Sequence, residues 1–142
     1  LTEPINFFNE GVSYIIPNRD KISAWIADVI ATENFRLHSL NIIFCSDGFL
    51  LSINNKYLDR DYLTDVIAFD QSDDEGMIEG DIYISIDRIK ENAAAFKQAF
   101  EKELNRVIVH GVLHLMGYDD KQSDERRVML EKEEACLSLL NL

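Results

Sequence analysis

The chain has 142 residues, a net charge of −12, 46% hydrophobic and 28% charged residues, and two cysteines. That length suits one domain around one hydrophobic core, and the composition is that of a soluble globular protein rather than a disordered or disulfide-built one. No run approaches the roughly 20 apolar residues of a membrane span, and a strongly acidic chain lacks the broad basic surface of most nucleic-acid binders.

The acids are segregated: the stretch from Asp70 to Asp81 carries no base, while Arg60, Arg88, Lys90, Lys97, Lys102 and Arg106 fall elsewhere. The first residues, Leu-Thr-Glu-Pro-Ile, do not read as a secretory leader, so a reducing cytoplasm is the expected location.

In chain order, Ile5-Asn-Phe-Phe reads as a short strand. Pro17-Asn18 opens a helix on which Ile22, Trp25, Ile26, Val29 and Ile30 recur at helical spacing, which puts Trp25 in the core. Leu40 to Cys45 is a strand by its β-branched and aromatic content. Ser46 or Asp47 caps a helix running through Asn54 and Asn55 to about Tyr57. Thr64 to Asp70 is another strand, the acidic segment 71–79 a solvated turn, and the alternating Gly80 to Ser85 a further strand. Asp87 caps a helix reaching about Phe100.

Glu103 to Met116 is a helix with apolar residues on most sides, which belongs in the middle of a domain. Asp124 to about Leu140 closes the chain as an amphipathic helix. Cys45 and Cys136 read as inert packing residues, and His38 as a surface or edge residue. The sum is an α+β fold: a small mixed sheet packed with about five helices, one of them central, forming a single domain over residues 1–142.

The central helix carries the chemistry, in the run His110-Gly-Val-Leu-His114-Leu-Met-Gly117-Tyr-Asp-Asp120. Histidines four apart share one helix face. Gly117 can take the left-handed conformation that ends a helix, so the chain can turn back and bring Asp120 to the same point. Two imidazoles and a carboxylate leave the fourth position of a first-row metal to water, the arrangement of a catalytic site. Asp119 competes as the carboxylate ligand.

One first-row metal ion per chain is expected at His110, His114 and Asp120; two histidines and a carboxylate suit iron, manganese or nickel as well as zinc. The spacing is similar to that of metzincin proteases, whose residue after the first histidine is a glutamate general base. Gly111 stands there and cannot move a proton. Met129, inside a helix, offers no Met-turn. A peptidase is therefore disfavoured.

The same run resembles the H-G-x-L-H-L-x-G-Y-D-H signature of the bacterial YbeY family of metal-dependent endoribonucleases, which His110 through Asp119 matches throughout. Asn54-Asn-Lys-Tyr57 followed by Asp61-Tyr-Leu-Thr64-Asp65-Val66-Ile67-Ala68-Phe69 resembles the family's N-x-x-Y-R-x-K-D-x-P-T-D-V-L-S-F stretch. Gly80-Asp81-Ile82 resembles its G-D-I strand, and Met129 and Glu133 fall where its last helix carries a Met and a Glu. The resemblance implies a zincin-like fold, a bound zinc and cleavage of single-stranded RNA. It also implies a role in ribosomal RNA maturation at the 3′ end of the 16S rRNA and in ribosome quality control, with the small ribosomal subunit or its proteins as partners.

Two positions depart from that pattern. Asp120 replaces the family's third histidine, which leaves a zinc site of about +1 instead of +2 and implies a weaker Lewis acid. Leu58 replaces an arginine thought to serve catalysis. Arg60, two residues on, is the candidate to reach the same space, since a guanidinium is long and suits phosphate. Asp65 and Asp81 are candidate carboxylates beside the metal, and Asp65 joins Arg60 as a candidate catalytic residue. The alternatives are a metallohydrolase of another substrate, or a ribosome-assembly factor that cleaves little.

Overall fold

The structure, a computed structural model, describes residues 4–59 and 64–140. Its elements are β1 (Ile5–Glu10), α1 (Arg19–Thr32), β2 (Arg36–Cys45), α2 (Asp47–Leu58), β3 (Val66–Asp70), β4 (Met77–Ser85), α3 (Ile86–Ala95), α4 (Phe100–Leu115) and α5 (Ser123–Ser138). The strands form one sheet in the order β1-β2-β4-β3. β2 runs parallel to both β1 and β4, while β3 returns antiparallel along β4. Parallel neighbours need a crossover: α1 links β1 to β2, and α2 with β3 lies between β2 and β4. The fold is therefore α+β with a small mixed sheet, as expected.

Several boundaries differ from the sequence reading. α3 ends at Ala95 rather than near Phe100, because Lys97 turns left-handed (φ +54°) and the Gln98 N–H closes onto the Ala93 carbonyl at 2.9 Å, and α4 accordingly starts at Phe100 rather than Glu103. Three others shift where groups find partners remote in sequence. β2 begins at Arg36 rather than Leu40, because Arg36, Leu37 and Ser39 pair with Met77, Ile78 and Glu79. His38 sits at the register shift between Leu37 and Ser39, exposed, with its Nδ1 3.4 Å from Glu79. β4 correspondingly takes in Met77 to Glu79, so the acidic turn is shorter than residues 71–79. The cap of α3 is Ser85, whose Oγ accepts from the Arg88 N–H at 3.2 Å. Asp87 instead accepts from the Asp47 N–H at 2.9 Å, while Asp47 accepts from the Ser85 hydroxyl (2.7 Å) and the Arg88 Nε (3.0 Å). The starts of α2 and α3 are laced together.

One face of the sheet carries the main core. Leu40, Ile42 and Phe44 of β2 and Ile78, Ile82 and Ile84 of β4 pack with the Ile22–Ile30 stripe of α1 and with Val107, Ile108 and Val112 of α4. Trp25 is buried there, and its indole N–H donates to the Cys136 carbonyl at 2.8 Å, tying α5 to α1. The opposite face holds a smaller cluster of Cys45, Leu50, Ile53 and Ile67 under α2. Both cysteines are buried free thiols. Burial, helped by the nearby Asp47, Asp87 and Glu10 carboxylates, pushes Cys45 up to about 12, which leaves it unreactive.

α4 lies against β4 at Gly111, where a Cβ would come within 2.8 Å of Ile82 Cγ2 and 3.3 Å of Val66 Cγ2. Among the described residues, no helix is long and apolar enough to cross a membrane.

Candidate metal and active site

The end of α4 sets the geometry. Gly117 has φ +99°; its N–H donates to the His114 carbonyl (3.0 Å) and the Tyr118 N–H to that of Leu113 (3.1 Å), the paired bonds of a Schellman stop. Tyr118 then donates its hydroxyl to Glu33 at 2.5 Å, and Lys132 of α5 donates to the same carboxylate at 2.9 Å. Arg126 holds the Lys121 carbonyl at 2.9 Å. So tethered, the loop brings Asp120 Oδ2 to 3.3 Å from His110 Nε2 and 3.6 Å from His114 Nε2, with the two nitrogens 3.0 Å apart.

A tetrahedral ion with bonds of about 2.0–2.1 Å keeps its ligand atoms about 3.3 Å from one another. The three side chains therefore fit a metal, and this cluster could hold one.

Behind the ligands lies a polar network inside an apolar helix pair. Glu133 of α5, 2% exposed, meets His110 Nδ1 at 2.5 Å. A carboxylate can only accept, so Nδ1 carries the proton and Nε2 presents its lone pair toward His114 and Asp120. Arg106, one turn before His110, donates Nη1 to Glu133 (3.3 Å) and grips Glu103 through Nε (3.0 Å) and Nη2 (2.6 Å). Its Nη2 also lies 3.9 Å from Asp65, to which Asn92 donates at 3.3 Å.

Glu103, Glu133 and Asp65 thus share a single guanidinium, and Asp120 adds a fourth carboxylate on the far side of His110. That excess of negative charge is what a divalent cation would offset. Burial works against a charged ring at His110, but the Glu133 hydrogen bond and the charges of Glu133, Asp120 and Asp65 outweigh it and raise its pKa. Burial also raises Asp65, against the opposing pull of His110 and Arg106. In front of the ligands opens a cleft of about 490 Å3, walled by Asn54 and Leu58 of α2, by Thr64 to Ala68 and Asp70, and by Asp119 and Lys121.

A family model described as Endoribonuclease YbeY matches residues 8–141. The chain belongs to the YbeY family. Relatives bearing the same description are 47% identical in Cytophaga hutchinsonii, over 96% of both chains, and 48% identical in Karelsulcia muelleri, over 96% of this chain and 95% of that one. A third, from Bacteroides thetaiotaomicron, is 40% identical over 95% of this chain and 98% of its own. The solution structure of TM1509 from Thermotoga maritima matches with a TM-score of 0.65 and 26% identity, covering 96% of this chain and 88% of that one.

Against the YbeY signature, the position of the third histidine is where Asp120 reaches the histidine pair. Asp119 turns its Oδ1 back to accept the Asp120 N–H at 2.8 Å. Asp120→Ala should therefore abolish stoichiometric metal while Asp119→Ala retains it; elemental analysis of both variants checks this, and the reverse pattern would reassign the ligand.

Asp65 lines the cleft. Asp81 does not: it accepts from Asn41 and Gln71, each at 3.0 Å, on the α2 side of the sheet. Arg60 lies outside the described residues, and Leu58 occupies the cleft wall. Arg106 and Glu103 were missed as parts of the site, and Glu133 was found only as a family position without a role. Their signal was legible, since Glu103, Arg106, His110 and His114 form one polar stripe at helical spacing on an otherwise apolar helix.

Proposed function

We propose that this chain is a single-strand-specific, metal-dependent endoribonuclease of the cytoplasm. It would act in ribosomal RNA maturation at the 3′ end of the 16S rRNA and in ribosome quality control, with the small ribosomal subunit or its proteins as partners. The observation that carries the reading is the convergence of His110 Nε2, His114 Nε2 and Asp120 Oδ2 within 4.8 Å of one another, in a chain whose relatives are endoribonucleases by name.

His110, His114 and Asp120 would hold Zn2+, with iron, manganese or nickel compatible with the same donors. When bound, the ion supplies Lewis acidity toward a phosphodiester and activates water. Glu133 keeps the His110 proton on Nδ1. Asp65, raised by burial and facing the cleft, takes the proton of the attacking hydroxyl, filling the role that a glutamate at position 111 would have. No such glutamate fits, because Gly111 lies against Ile82 and Val66. Lys121 and, by our reading, Arg60 hold phosphate. A 2′,3′-cyclic phosphate product would identify the substrate's own 2′-hydroxyl as the nucleophile; a 5′-phosphate released with a 3′-hydroxyl would identify water.

Elemental analysis of the purified protein beside His114→Ala, with both then tested on single-stranded ribosomal RNA, is the experiment. One metal per chain, lost together with cleavage in the variant, is expected. Metal without cleavage in the wild type would favour a metallohydrolase of another substrate or the assembly-factor reading, to the latter of which Leu58 and the net charge of −12 lend weight. No metal after a chelator-free purification would overturn the site.

A further inference from the structure

We propose that Tyr57, buttressed by Phe69, is a base-stacking step at the mouth of the cleft and the element that selects single-stranded substrate. The inference rests on the RNA-cleaving reading above and adds to it a residue and a cause for the specificity. Tyr57 is 62% exposed, on α2 between Asn54 and Leu58, both of which line the cleft. Ala68 and Asp70 of β3 line the cleft from the other element, while Phe69 between them turns its ring to the α2 side of the sheet, where it meets Tyr57 at the rim. The two rings meet edge to face, 6.1 Å between centroids at 78°. Phe69 leans in turn on Tyr83 (5.9 Å, 86°), and Tyr83 stacks on Phe49 (6.2 Å).

The outermost ring is therefore the end of a row of four aromatics rooted in the cluster beneath α2, held in place before any ligand arrives. The Lys56 ammonium lies over the Tyr57 ring, 5.2 Å from its centroid, so a base that stacks on the exposed ring displaces or flanks a flexible cation that can then take the adjoining phosphate. Lys121 offers a second cation across the cleft.

An exposed, propped aromatic with interleaved cations is the usual platform for single-stranded nucleic acid. Every base has a π-face, but within a duplex that face is covered by its stacked neighbours. Stacking also explains how a chain of net charge −12 gains affinity for a polyanion. Few phosphates need be neutralised, so the dependence of binding on salt is shallow.

The test uses the metal-loaded enzyme on a single-stranded oligoribonucleotide and on its duplex. Tyr57→Ala should raise KM for the single strand about 5- to 100-fold, the range for loss of one stacked base, with a much smaller change in kcat. Tyr57→Phe should behave as wild type. The preference for single strand over duplex should shrink in the alanine variant alone. An abasic nucleotide walked along the substrate should, at one position, cost the wild type the same factor and cost Tyr57→Ala nothing further.

An unchanged KM in Tyr57→Ala, or a loss confined to kcat, would overturn the stacking role. A wild-type enzyme that binds and cuts no RNA would instead overturn the functional reading and this inference with it. Tyr57 is exposed, so the variant should fold, and its melting temperature is the control.

Discussion

Replacing Arg106 with methionine is expected to destabilise the fold by about 3–5 kcal/mol, the cost of removing one partner from a buried ion pair. Glu103 and Glu133 are 3% and 2% exposed, and Arg106 is the one arginine or lysine hydrogen-bonded to either among the described residues, Glu133 being met besides by His110 Nδ1 and Glu103 by Asn92. Methionine keeps most of the stem's volume, so the loss would come from stranded charge rather than from a cavity. For a chain of this size, that corresponds to a drop in Tm of roughly 10 °C. Urea unfolding checks it, and a loss below about 1 kcal/mol, the scale of an exposed pair, would refute it.

Arg106→Met/Glu103→Met should recover part of the loss, because an apolar pair is as good as an ionic one once neither charge is left alone. No recovery would show that the cost lay elsewhere. A second readout concerns Asp65. Burial already raises its pKa and Arg106 opposes that rise, so removing the guanidinium raises it further. If Asp65 is the base, activity is lost as pH falls through its pKa. The acidic limb of the pH–rate profile should then move to higher pH in Arg106→Met.

The parts of this architecture that depend on a few neighbouring residues were legible in the sequence. The α1 stripe from Ile22 to Ile30 and the turn at Gly117 both follow from helix periodicity and glycine's tolerance of positive φ. What escaped depends on partners remote in sequence. Arg36 to Ser39 lengthen β2 because Met77 to Glu79 are there to pair with them, although the polar Arg-Leu-His-Ser run has no strand signature. Ser85 rather than Asp87 caps α3 because the Asp47 N–H claims the Asp87 carboxylate.

Asp81 is a site candidate by its motif, yet strand alternation argues against it. Ile82 and Ile84 face the main core, so Asp81 faces the other side, opposite Phe69 in register. Glu133 shows the reverse case. It lies on the buried stripe of α5 with Met129 and Cys136, and a carboxylate on such a stripe needs a partner, but only the packing of α5 on α4 reveals that the partner is His110.

That partnership makes Glu133→Gln the sharpest test of the metal site. The variant should fold, since glutamine matches the shape and can still accept from the His110 Nδ1–H, but metal affinity should fall about 10- to 100-fold, as for other groups that orient a ligand histidine. The pH dependence gives the sign. The pKa of His110 is raised chiefly by Glu133, against the effect of burial, and metal and proton compete for its Nε2. Wild-type affinity is therefore full above that raised pKa and is lost as pH falls through it.

In Glu133→Gln the imidazolium loses its anionic partner while burial remains, so its pKa drops and proton competition begins only at lower pH. The deficit of the variant should then be widest at alkaline pH and narrow as pH falls. Isothermal titration with Zn2+ across that range measures it. A deficit that is constant with pH would mean that Glu133 acts through position alone. The absence of any deficit would remove Glu133 from the site and leave its burial unexplained.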